Sequence, residues 1–123
     1  MGDNWTPPVR VHTDDTDAHQ FAPAITVDPV TGYIYILFYD RRNHADNHTD
    51  VYLAWSGDNG TTFKNVKLST TPFLPATNGL PGKYTAIAAY NGLVVPVWTR
   101  LDDATSSLWV APLQQAELEK AAE

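Results

Sequence analysis

Two stretches of this chain follow one pattern. Tyr33-Ile-Tyr-Ile-Leu-Phe-Tyr-Asp40 aligns with Leu93-Val-Val-Pro-Val-Trp-Thr-Arg100. Thr49-Asp-Val-Tyr-Leu-Ala54 aligns with Ser106-Ser-Leu-Trp-Val-Ala111, and Ile25-Thr-Val-Asp28 with Ile87-Ala-Ala-Tyr90. The offset stays at roughly 60 residues, and self-similarity at one steady period is the signature of a repeat architecture.

The repeated pieces read as strands. Residues 33–40 are apolar at nearly every position, which by periodicity alone suits a strand covered on both faces or a buried helix. Their β-branched and aromatic content, and the turn Asp28-Pro-Val-Thr-Gly32 ahead of them, decide for strand. The same criteria predict eight strands, at 9–13, 22–28, 33–40, 50–56, 64–69, 85–90, 93–99 and 106–112. Pro96 carries no N–H, so it must sit at a bulge or where the ladder needs no donor. Connections alternate between tight turns (28–32, 90–92 and 57–63) and long loops (14–20, 41–49, 70–84 and 101–105). In an antiparallel order all the long loops then share one end, and binding groups concentrate on such loops.

The turn Ser56-Gly57-Asp58-Asn59-Gly60-Thr61-Thr62-Phe63 lies between two of these strands. Asp58 can accept hydrogen bonds from amides within the turn, Gly60 can take positive φ, and Phe63 can fold back beneath the loop as an apolar plug. Ser-x-Asp-x-Gly-x-x-aromatic resembles the Asp-box, or BNR repeat, of sialidase-type β-propellers. Gly2-Asp3-Asn4-Trp5 matches the second half of the same box, with Gly2 and Trp5 in the places of Gly60 and Phe63, so the first residues are expected to form the back half of a turn. The resemblance covers residues 2–113. It implies an all-β fold of four-stranded antiparallel propeller blades, with the eight strands in the order D-A-B-C-D-A-B-C. That is about two blades over residues 1–113, followed by a helix-prone tail at 114–123, which is a frayed end, a small docking helix or an appended remnant. Two blades cannot close a ring and would leave two large apolar faces uncovered. The expectation is therefore a homo-oligomer, most simply three copies giving six blades; an unclosed fragment is the alternative.

Composition narrows the partners. The 123 residues carry a formal net charge of −6, and Arg41-Arg42 is the sole cluster of basic residues. That argues against nucleic acid and anionic membranes. No apolar run approaches bilayer length. The chain has no cysteine, so disulfides and thiolate metal sites are excluded. No signal peptide is visible in the sequence; the resemblance implies a secreted or cell-surface setting.

Asp40-Arg41-Arg42 ends one strand at the long-loop end, and Arg100, followed by Asp102 and Asp103, ends its repeat counterpart. The resemblance implies a clamp of arginines on a substrate carboxylate, in planar bidentate geometry. Ordinary ion pairs, Asp40 with Arg42 and Arg100 with Asp102, are the competing reading. Tyr84 occupies a strand start where the family's tyrosine nucleophile would be sought, but the glutamates, Glu117, Glu119 and Glu123, all lie in the tail. The catalytic set does not carry over. His44, Asp46, His48 and Asp50, with His12 and His19 nearby, could ligate zinc, and Asp14, Asp15 and Asp17 could ligate calcium. Neither group has a demanding spacing, and a solvated polar loop is the preferred reading, with no metal or cofactor. The function expected is a non-catalytic, sialidase-like propeller piece that binds a glycan or protein through its long-loop face, by Asp40, Arg41, Arg42, Tyr84 and Arg100. The alternatives are a sialidase-like exo-glycoside hydrolase, or a fragment of one, and a purely structural repeat that oligomerises.

Overall fold

A computed structural model describes residues 2, 4–74, 85–102 and 105–121. They form two antiparallel sheets and one short helix. The first sheet has the order β1-β2-β3-β4, from β1 (Gln20–Val27), β2 (Ile34–Asp40), β3 (Asp50–Ser56) and β4 (Lys64–Lys67). The second is built on β6 (Leu93–Asp102), flanked on one side by β5 (Ala86–Tyr90) and on the other by β7 (Thr105–Val110) and β8 (Leu113–Gln114). Pro112 interrupts that flanking lane, since it cannot donate to the ladder. The helix α1 (Gln115–Ala121) follows directly.

The seven strands expected at 22–28, 33–40, 50–56, 64–69, 85–90, 93–99 and 106–112 are present with shifted bounds. The strand expected at 9–13 is not. Those residues find no ladder partner among the described residues and are held by a side chain instead. The Asn65 amide donates to the Val11 carbonyl at 3.0 Å and accepts from Thr13 N–H at 2.9 Å. Alternating apolar residues supply a strand's pattern, but a strand also needs a neighbouring edge to bond.

Strand parity builds the core. Tyr35, Leu37 and Tyr39 of β2 and Val51, Leu53 and Trp55 of β3 project from one face of the first sheet. They pack against Val94 and Trp98 of β6, with Ile87 and Phe73 completing the layer. Pro96 is buried in the same row, opposite Ile87, and its carbonyl still accepts from Ala111 N–H at 3.2 Å. Two tyrosines add polar bonds, one to the second sheet and one to the helix. Tyr39 donates its hydroxyl to the Thr99 carbonyl at 2.5 Å and accepts from Thr99 N–H at 3.2 Å. Tyr35 donates to Gln115 Oε1 at 2.6 Å. Burial pushes both phenols up to about 12, so they remain donors at any physiological pH.

The tail is a docked helix. Gln115 N–H bonds the Gly92 carbonyl, and Leu118 is buried with Tyr35, Trp55 and Val94. It closes the space between the sheets at their tight-turn end. A seven-residue helix has too few internal bonds to stand alone, so Leu118 packing is what holds it. Leu118→Ala should lower the unfolding free energy by about 2–3 kcal/mol, read as a drop in urea midpoint together with loss of helical ellipticity.

β1 carries a bulge between Phe21 and Ala24. Ala22 has φ +55°, and Pro23 follows, where no ladder donor is needed. The bulge turns the Ala22 carbonyl to accept from Thr85 Oγ1 at 3.0 Å, a further link between the two sheets.

Candidate functional site

The turn 56–63 has the internal bonding its sequence predicts. Ser56 Oγ donates to Asp58 Oδ1 at 2.7 Å and accepts from Gly60 N–H at 2.9 Å. Asp58 accepts from Thr62 N–H at 2.9 Å and from Thr62 Oγ1 at 2.5 Å. These bonds from Thr62 and Ser56 stabilise the carboxylate and lower its pKa to about 2. Gly60 has φ +82°, and Phe63 packs beneath the turn against the cluster of Phe38, Tyr52 and Ala54. Ser56, Asp58, Thr61 and Thr62 thus bond within the turn itself. At the N-terminus Gly2 has φ +79° and its carbonyl accepts from Trp5 Nε1 at 3.1 Å. Trp5 itself is 87% exposed and covers nothing.

At the same end of the sheets lies an aspartate whose role the sequence did not disclose. Asp28 is fully buried. Its carboxylate accepts from Val30 and Thr31 of its own turn, and from Asn91 and Gly92 of the β5–β6 turn at 2.9 and 2.7 Å. Burial alone would push its pKa up. The four amides, led by Gly92 and Val30, outweigh burial and hold it well below the usual carboxylate range. One side chain thus latches the equivalent turns of the two sheets together.

The long loops gather at the opposite end, as the strand directions require. Asp40 and Asp50 face each other in register across β2 and β3, and both are buried. The loop between them supplies their partners. Arg42 donates to Asp40 through its backbone N–H and, at 2.9 and 2.7 Å, through Nε and Nη2. Asn43 and His44 bond Asp50 Oδ2, and Ser69 Oγ donates to Asp50 Oδ1 at 3.0 Å. Arg42 also reaches Asn65 and Thr13 and lies 4.1 Å from the centre of the Tyr52 ring. Two buried carboxylates sealed by their own loop make a rigid cap, since each would be costly to bury unpaired.

Arg100 is equally engaged. It forms a two-pronged pair with Asp102 at 2.6 and 3.0 Å, and it donates to the Thr71 and Pro72 carbonyls. It lines a cavity with Trp98 and Trp109, separate from the cleft lined by Arg41 and Arg42. Of the residues expected to bind ligand, Arg41 and Arg42 line one cleft and Arg100 lines another. Asp40 and Arg42 belong to the loop cap, Arg100 anchors the segment after β4, and Tyr84 lies outside the described residues.

Arg41 differs. Its Nε donates to Thr49 Oγ1 at 3.2 Å, its guanidinium lies 4.8 Å from the centre of the Phe21 ring, and its Nη groups make no hydrogen bond among the described residues. It borders an open cleft of about 550 Å3 that is shared by the loops 16–19 and 41–47. Asp46 and His48 pair at 2.8 Å on the rim, and the amide and imidazole of His48 lower the Asp46 pKa. Among the described residues no three His, Asp or Glu side chains are placed to hold a metal ion. Asp14 is also satisfied locally: burial would raise its pKa, but bonds from Thr16 and Gln20 bring it down.

Comparison with protein-family models, curated proteins and solved structures gives no match.

Proposed function

We propose that the two sheets are adjacent blades of an Asp-box propeller, and that the chain is a non-catalytic binding module. Its ligand is a carboxylate-bearing glycan or protein group, received in the long-loop cleft. The observation that carries this reading is Arg41. A guanidinium held by Thr49, backed by Phe21 and belonging to a residue that lines the cleft is pre-organised for a planar anion. Arginine supported on an aromatic ring keeps its charge while losing little freedom on binding.

The position of the glutamates supports binding over hydrolysis. Glu117 and Glu119 lie on α1, at the tight-turn end, while the cleft is at the long-loop end. Among the described residues no glutamate stands at the cleft to serve as base for a nucleophile.

Binding to an array of sialylated and neutral glycans tests the reading. The wild-type chain should retain acidic glycans, and Arg41→Ala should weaken them about tenfold or more, the effect of removing a charge-assisted bond. Lys64→Ala, on the far side of the first sheet, should change nothing. Uniform silence across the array, or retention unaffected by Arg41→Ala, would contradict the proposal. Release of a fluorophore from a sialoside would put a hydrolase in its place.

A further inference from the structure

Among the described residues, the outer face of the second sheet and the β1 side of the outer face of the first are apolar and uncovered, while Val11 and Phe63 cover Phe38, Tyr52 and Ala54 on the first. On the first sheet Ile25 and Val27 are 66% and 52% exposed, and an apolar groove of about 350 Å3 runs past Ile25, Ile36, Phe38 and Val11. On the second sheet Tyr90, Leu108 and Val110 are 65%, 72% and 55% exposed.

The repeat identifies what each face is shaped to meet. Val51 and Leu53 are buried where the first sheet packs on the second, and their repeat counterparts are Leu108 and Val110. The outer face of the second sheet is thus the counterpart of a face that already packs on a sheet. Conversely, Ile87, Pro96 and Trp98 lie on the face of the second sheet that meets the first, and their counterparts are Ile25, Ile36 and Phe38. The grooved face of the first sheet is the counterpart of a face that already receives a sheet. One exposed face is the donor type and the other the acceptor type, at opposite ends of one molecule.

From this we infer that a second copy of the chain docks head to tail, placing the outer face of its second sheet on the grooved face of the first sheet. The N-terminal segment agrees. Val11 packs on Phe38 as its counterpart Leu68 packs with Trp98, so residues 9–13 already stand where β4 stands relative to the second sheet. β4 pairs with β3, Val66 opposite Leu53. By the same register Val9 of one copy falls opposite Val110 of the next, and residues 9–13 become the fourth strand that β7 lacks. Among the described residues the segment 9–13 and the outer edge of β7 are both unpaired, and they complete each other, which also removes an exposed strand edge. Such a contact is heterologous, and repeats until it closes or runs on. The docking rests on the repeat; closure at three copies rests on the propeller reading.

Light scattering on two face variants tests both parts. Ile25→Glu disables the grooved face, and Leu108→Glu disables the outer face of the second sheet; both positions are exposed, so folding is spared. The wild-type chain should give three times the 13.6 kDa chain mass. Each variant alone should be monomeric, and their equimolar mixture should give two chain masses and no more, because one intact face of each kind remains. In the cysteine-free background, Val9→Cys combined with Val110→Cys should give intermolecular disulfides on mild oxidation. An open series of wild-type masses, with the mixture still stopping at two, would keep the docking and discard the closed ring. A monomeric wild-type chain, or a mixture that stays monomeric, would overturn the inference.

Discussion

Asp28→Ala is expected to melt about 10 °C or more below the wild-type chain. Alanine leaves four backbone donors, those of Val30, Thr31, Asn91 and Gly92, without the acceptor they share. These amides converge on a fully buried carboxylate, and donors left facing that space without an acceptor cost free energy. The loss also falls at the joint between the sheets, since half of the bonds come from each. Asp28→Asn should lie in between. Its oxygen can keep the three bonds made to Oδ1, but its NH2 group would oppose the Gly92 N–H. Circular dichroism melts of the three chains give the ranking.

Asp28 and Asp58 also give the stability its pH dependence. Both have folded-state pKa values below those of the unfolded chain. As pH falls below about 4, the unfolded chain takes up protons that the folded chain refuses. Their contribution is complete above that range and is lost as pH drops through the folded values, near 2 for Asp58 and lower for Asp28. The wild-type melting temperature should therefore fall steeply between pH 4 and 2. Asp28→Ala should show a shallower fall, having already lost one of the groups whose folded-state pKa is lowered. Equal slopes would mean that Asp28 is not the latch.

Leu37→Ala should lower the unfolding free energy by about 3 kcal/mol. Leu37 is completely buried and lies among Tyr39, Val51, Phe73 and Trp98, side chains contributed by both sheets and by the segment after β4. None of these rigid neighbours can collapse into the space a leucine leaves, so the cavity cost adds to the lost transfer energy. Urea denaturation should show a lower midpoint with an unchanged slope. Val30→Ala, in an exposed turn, should leave the midpoint where it is. A small effect at Leu37 would mean that the two sheets do not share one core.

What the sequence disclosed follows the range of the interactions. The self-bonded turn at 56–63 could be read because its bonds join residues two to four apart, and strand parity could be read because alternation is local. The ion pairs Asp40 with Arg42 and Arg100 with Asp102 were likewise visible from a spacing of two. Asp28 was legible only as a turn former. Two of its four partners are more than sixty residues away, and nothing near Asp28 in the sequence distinguishes a carboxylate bonded to its own turn from one that spans two. Asn65 was missed for the same reason: its bonds reach Val11, Thr13 and Arg42 across the chain. The sequence marked residues 9–13 as a strand on pattern, but no described strand edge pairs with them. Arg41 stood in the sequence beside Arg42 without distinction; Phe21 and Thr49 separate their roles, and both are contacts of the folded chain.

The two sheets share one core, and nuclear Overhauser contacts between them report on it. The Tyr39 ring should show cross-peaks to the backbone of Thr99, and the Leu37 methyls to the Trp98 indole, each pair joining one sheet to the other. Those cross-peaks, persisting up to the global melt, are the predicted result. Two sheets with intact strand contacts but no cross-peaks between them would contradict the stack, and with it the latch at Asp28 and the docking of a second copy.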